Sequence, residues 1–180
     1  MSAAYAVATG LHLFSVGLVV GFMAITLWAL IPAQHLLDGA GYATMEAGMN
    51  RVLQPLMPVL LVLALLSGLA ATVLAFAAGL PGAWWQLAAA VGVAAMASST
   101  LVINHPVNNA INGWDPADLP PDWRRSRARW ELGHRIRVTV GLPAFACAIA
   151  FSCTSRISPS RSSSSASGSP RTPMRQRSPI

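Results

Sequence analysis

Apolar residues in this chain come in long unbroken runs rather than in the one-sided stripes of a soluble helix. Tyr5 to Ile31, Pro55 to Ala78 and Trp84 to Ile103 contain no Asp, Glu, Lys or Arg. Each run reaches the ~20 residues that a helix needs to cross a bilayer. Pro32 marks the exit of the first run. Pro55 and Pro58 fall in the first turn of the second, where proline is tolerated. Gly79 to Gly82 predicts a tight turn, and Trp84 and Trp85 after it suit an interface anchor. Val138 to Phe151 is a fourth apolar run, short and interrupted by Pro143. It spans only if it continues from the helix before it or is supported by its neighbours.

The polar stretches divide these runs. Residues 33–54 read as a short amphipathic connector holding His35, Asp38, Glu46, Asn50 and Arg51. Residues 104–122 read as a loop broken by Pro106, Pro116, Pro120 and Pro121. Trp123 to Arg137 then reads as a helix. In the first run Gly17 and Gly21 stand at the G-x-x-x-G spacing, near Gly10 on one face, which admits a second helix closely. The expected fold is all-α: an integral membrane four-helix bundle whose fourth span is short or incomplete, multi-pass in the cell membrane.

After Ser152 the character changes to Ser, Arg and Pro. Such a segment cannot bury enough apolar surface to fold. The expected organisation is therefore a transmembrane helical domain over 1–151 and a disordered tail over 152–180. Because the change interrupts an apolar run, it predicts a frameshifted or diverged terminus, which sequencing the locus would check.

Composition supports the membrane assignment. The chain is 54% hydrophobic and 10% charged, against about 25% charged in soluble domains. The net charge of +6 misleads. Arg156, Arg161, Arg171, Arg175 and Arg177 all lie in the tail, whereas the preceding arginines nearly balance the acids. Arginines do not interleave with aromatics outside 123–137, so nothing favours nucleic acid as a partner. Cys147 and Cys153 form no CxxC and read as small packing residues. Arginines concentrate in the first and third connections, which predicts those connections to be cytoplasmic and the N-terminus outside. The arginine-rich tail conflicts with that topology if the fourth span is complete.

Candidate chemistry gathers between Asn104 and Arg137. Trp123, Arg127, Trp130, His134 and Arg137 follow helical spacing and form one continuous face. Glu131 stands four from both Arg127 and Arg135 and can pair with either. One reading is an interfacial helix, with tryptophans at headgroup level and arginines on lipid phosphate. The other buries His134 and Arg137 as functional groups, since they enter an apolar segment where charge is costly. Asn104, Asn108, Asn109 and Asn112 surround Pro106, which frees backbone carbonyls. Their amides either satisfy those carbonyls or, for Asn104 and Asn108, hydrogen-bond a ligand oxygen. His12 falls at the opposite membrane edge from His35, His105 and His134. No spacing motif links the four histidines, so no metal ligand set is expected.

These pieces in order resemble the anthrone oxygenase family of small four-helix membrane proteins. The resemblance rests on the glycine-rich first run ending at Pro32 and on M-N-R-V-L-Q-P at 49–55. It rests further on N-H-P-V-N at 104–108 and on the W…R…W…H-x-x-R pattern within 123–137. It implies oxidation of an anthrone-type polyketide to an anthraquinone by molecular oxygen. An anthrone has an acidic methylene, and its anion can itself reduce oxygen, so no cofactor is expected. The protein would supply an apolar slot, a base and an oxyanion partner. The resemblance implies His134 as the base, and Asn104, Asn108 and Arg137 as the groups that orient and stabilise the oxyanion. Trp123, Trp130 and Arg127 would bind the hydrophobic aromatic substrate. The alternative is a non-enzymatic membrane protein that binds a lipid, a quinone or a partner helix. A haem or quinone redox subunit is a third reading.

Overall fold

The computed structural model describes residues 3–157, and the described chain is helical apart from its connections. Six α-helices build four long rods. The first rod is α1 (Ala3–Ile25), a π-helical turn (Thr26–Leu30) and α2 (Ile31–Gln34). The second is α3 (Gly39–Ala77). The third is α4 (Ala83–Ser99), a second π-helical turn (Thr100–Asn104) and α5 (His105–Ile111). The fourth is α6 (Trp123–Ile157). All four rods are long and apolar enough to cross a membrane.

The rods pack in a closed ring, α1 beside α3, α3 beside α4, α4 beside α6 and α6 beside α1. Small and β-branched residues fill much of the interior, Val16, Val20, Ala64, Ala71, Ala89, Val93 and Ala148 among them, with Tyr42, Met96, Ile111 and Phe151 as larger buried side chains. Phe14, Leu18, Val59, Leu66, Val73 and Val91 instead face outward. This inside-out distribution suits lipid, which gives no driving force for burying large apolar side chains and rewards close backbone packing.

Close approach comes from glycines other than those of the G-x-x-x-G pair. Gly21 and Gly10 meet nothing, and Gly17 only touches Phe145. At Gly92 an added Cβ would stand 2.5 Å from Ala144 Cβ, so α4 and α6 meet there almost backbone to backbone.

Two boundaries differ from the sequence expectation. Asp38 caps α3 by accepting from the Gly41 amide at 2.8 Å. From that cap the helix runs through Pro55 and Pro58, absorbing most of the expected connector. Each proline removes only one ladder bond, and packing against two neighbouring rods outweighs that loss. The expected loop at 104–122 begins only after Ile111. Pro106 follows the π-turn by two residues, as Pro32 does in the first rod. A π-turn shifts the ladder by one residue, which accommodates a proline ring and its missing donor without ending the helix.

The fourth run does continue from the helix before it. α6 carries through Pro143 and gives a candidate span over Trp123–Ser155. The expected tail lies outside the described residues from 158 onward.

Candidate functional site

One end of the bundle gathers polar side chains from all four rods around a narrow, mostly apolar cleft. Its cavity volume is about 90 Å³, below the ~300–1,000 Å³ common for small-molecule sites, so a ring-sized ligand would have to open it further. α1 contributes Met23 and the π-turn Thr26, and α3 contributes Glu46, Asn50 and Gln54. The third rod contributes Thr100, His105 and Asn108, and α6 contributes Trp130, His134 and Arg137.

His134 is fixed on every side. Its Nε2 lies 2.8 Å from the Met23 carbonyl, and its Nδ1 lies 2.9 Å from Arg137 Nη2. A carbonyl only accepts and a guanidinium only donates, so the ring is neutral, with its proton on Nε2. Trp130 stacks on its face at 5.2 Å and 14°. Arg137 donates to His134 and reaches Thr100 Oγ1 at 3.4 Å, and its Nε has no partner.

The two key asparagines hold Trp130. Asn104 Nδ2 donates to the Trp130 carbonyl at 2.9 Å, and Asn108 Oδ1 accepts from the indole N–H at 2.7 Å. Asn104 is buried against Gly133, where any Cβ would collide with its side-chain oxygen. It does not border the cleft, whereas Asn108 does. The other asparagines join an amide network between α3 and α5. Asn50 donates to Asn112, Asn112 to Gln54 and Gln54 to Asn109, at 2.9–3.0 Å.

The single face drawn from Trp123 to Arg137 therefore serves two places. Fourteen residues of helix cover about 21 Å, too far for one small site. Trp123 and Arg127 line a separate, more open cleft with His35, Asp38 and Glu131. There Trp123 stacks on Tyr42 at 5.8 Å, and Arg127 lies over the same ring at 4.9 Å. Glu131 pairs with Arg127 Nε at 3.1 Å and with His35 Nε2 at 2.9 Å. His35, His105 and His134 each have different partners, and no group of three metal-binding side chains forms among the described residues.

The residue that sequence reasoning placed elsewhere is Glu46. It is fully buried and borders the His134 cleft. Gln34 Nε2 donates to its Oε2 at 2.6 Å, and its Oε1 has no partner. The signal was a lone acid on an otherwise apolar stripe with Tyr42, Ala43 and Asn50. Treating 33–54 as a connector hid it.

The sequence model of the anthrone oxygenase family matches residues 47–147, more than half of the chain. The chain belongs to the anthrone oxygenase family. The match covers α3 from Ala47, the third rod and α6 through Cys147, and so includes every residue named around the His134 cleft except Glu46 and those of the first rod. No curated protein and no solved structure matches the chain. In this anthrone oxygenase family member, the resemblance seen in N-H-P-V-N and W…R…W…H-x-x-R corresponds to one physical unit. The asparagines of the first motif grip the tryptophan of the second, and that tryptophan stacks on the histidine that holds the arginine.

Proposed function

We propose that the protein is a membrane-embedded oxygenase that converts an anthrone-type aromatic polyketide to the corresponding anthraquinone with molecular oxygen. The observation that carries this reading is the cleft itself. It is an apolar slot with an aromatic wall at Trp130 and a buried guanidinium, Arg137, held in place by His134 and Thr100. A fixed cation in an apolar site stabilises negative charge far more than in water. That is what an anthrone needs as its methylene loses a proton and charge moves to its oxygen.

The overall change is balanced by the substrate and oxygen alone. The methylene becomes a carbonyl, and oxygen takes up the four electrons, ending as one oxygen in the product and one in water. The reading thus needs no resident cofactor. Arg137 and Asn108 meet the substrate oxygens, Trp130 meets its rings, and Asn104 fixes Trp130 from behind. His134 acts as base only if its bond from Arg137 opens; in the arrangement described it positions the guanidinium. Trp123 and Arg127, in the second cleft, would guide an aromatic substrate at the membrane edge. The arginine bias puts this end of the bundle on the cytoplasmic side of the cell membrane.

The test is oxygen uptake by membranes containing the full-length protein, with and without a dihydroxyanthrone, against membranes lacking it. Anthrone-dependent uptake above the control supports the reading. Saturable anthrone binding without uptake would replace it with a binding protein for aromatic or quinone-like molecules.

A further inference from the structure

We propose that Glu46 is the general base of the site and that substrate bridges Glu46 and Arg137. This assignment rests on the oxygenase reading and names the group that takes the proton.

Glu46 is a carboxylate where a carboxylate is expensive. Burial of a charge without compensation is costly, so a protein that keeps one usually uses it. Among the described residues no salt bridge reaches it, although the Arg127 and Arg137 charges act on it from farther away. Its one hydrogen bond comes from the neutral Gln34 amide on Oε2, which fixes the carboxylate plane and leaves Oε1 without a partner. Arg137 borders the same cleft but is turned to His134 and Thr100, and its Nε is also unpartnered. An acid and a guanidinium therefore border one apolar cleft with no direct bond between them. Gln34 holds one back and His134 holds the other.

The ligand that completes this arrangement has an acidic C–H conjugated to an oxygen that becomes anionic. Oε1 accepts the methylene proton. The C–H electron pair moves through the ring system to the carbonyl oxygen, whose negative charge Arg137 neutralises. The carbanion form then gives its electrons to molecular oxygen and forms a C–O bond, and the peroxide takes up the proton that Glu46 held. Loss of the remaining C–H proton with cleavage of the O–O bond releases water and leaves the ketone. His134 is a poorer base than Glu46 in this geometry, because both of its nitrogens already have partners.

Proton removal can be read apart from oxidation. Under argon, with the full-length protein in membranes, base catalysis exchanges the methylene hydrogens of dihydroxyanthrone for deuterium from heavy water, which mass spectrometry follows. Above the rate with empty membranes, wild type should exchange. Glu46→Gln should lose both exchange and aerobic uptake by about 10²–10⁴-fold, the usual worth of a general base. Glu46→Asp, which keeps the charge but retracts it, should retain part of both activities. Its recovery relative to Glu46→Gln marks the carboxylate as chemical rather than structural. Exchange by Glu46→Gln at the wild-type rate, or by Glu46→Asp at no more than the rate of a folded Glu46→Gln, would overturn the assignment while leaving the oxygenase reading in place. Wild type with neither exchange nor uptake would remove both.

Discussion

His12 and His134 are two buried histidines at opposite ends of one bundle, and they have opposite surroundings. Each lies 2.8 Å from a carbonyl of a neighbouring rod, Ala64 for His12 and Met23 for His134. The similarity stops there. His12 presses on Gly68, where a Cβ would fall 2.6 Å from the ring, and Gln86 reaches the same glycine's carbonyl at 3.4 Å. Alanine, serine and threonine fill the rest of that region, and His12 borders none of the clefts described above. His134 has an arginine on one edge, a tryptophan on one face and a cleft in front, with a carboxylate bordering the same cleft. A buried histidine is therefore not itself the mark of a site. The mark is a charged group bordering a cleft together with a second ionisable group.

Between the two histidine environments, the largest difference should come from removing the charge beside His134. Arg137→Leu should cut anthrone-dependent oxygen uptake by about 10²–10³-fold, the range for losing one preorganised donor at a developing oxyanion. The same measurement on His12→Leu should give wild-type uptake. Equal losses in the two variants would erase the distinction between the two ends and point to global destabilisation.

Next come the two glycines that let a polar side chain pack against a neighbouring rod. Gly68→Ala and Gly133→Ala should each lower thermal stability in detergent by about 1–3 kcal/mol, the usual cost of overpacking. The first drives a methyl into His12. The second drives one into Asn104 and to within 2.7 Å of Ile103. Only Gly133→Ala should also lower uptake, because Asn104 holds Trp130. Combining His12→Ala with Gly68→Ala should restore stability, since removing the ring makes room for the methyl. A double variant no more stable than Gly68→Ala alone would show that the clash is not with His12.

Much of this was legible in the sequence, and the failures have physical causes. The apolar runs mark three spans outright by length and lack of charge, and a fourth on condition that Val138 to Phe151 continues from the helix before it, as α6 does. The helical spacing of Trp130, His134 and Arg137 puts them on one face, and all three border the same cleft. It also tied in Trp123 and Arg127, because periodicity reports which face a residue is on but not how far along the axis it sits. Pro55 and Pro106 look like helix boundaries in the sequence. Tertiary packing and a π-turn override that preference, and neither is visible in local propensity. Glu46 was lost with the connector. An acid one helical turn from Tyr42 and Asn50 becomes informative only once α3 is known to start at Gly39.

The smallest effect separates two roles of Trp130. Its indole N–H donates to Asn108, and its ring face covers His134. Trp130→Phe removes the hydrogen bond but keeps an aromatic face, and should cost about 0.5–1.5 kcal/mol of stability with a modest fall in kcat. Trp130→Leu removes both. If the ring acts by holding His134, and through it Arg137, then kcat should fall further in Trp130→Leu than in Trp130→Phe, with KM rising little. If the ring acts as a wall for the substrate, KM should carry the difference instead. Indistinguishable kinetics in the two variants would show that the stacked face contributes nothing. His134 would then owe its place to Met23 and Arg137 alone, and would resemble His12 more closely than its surroundings imply.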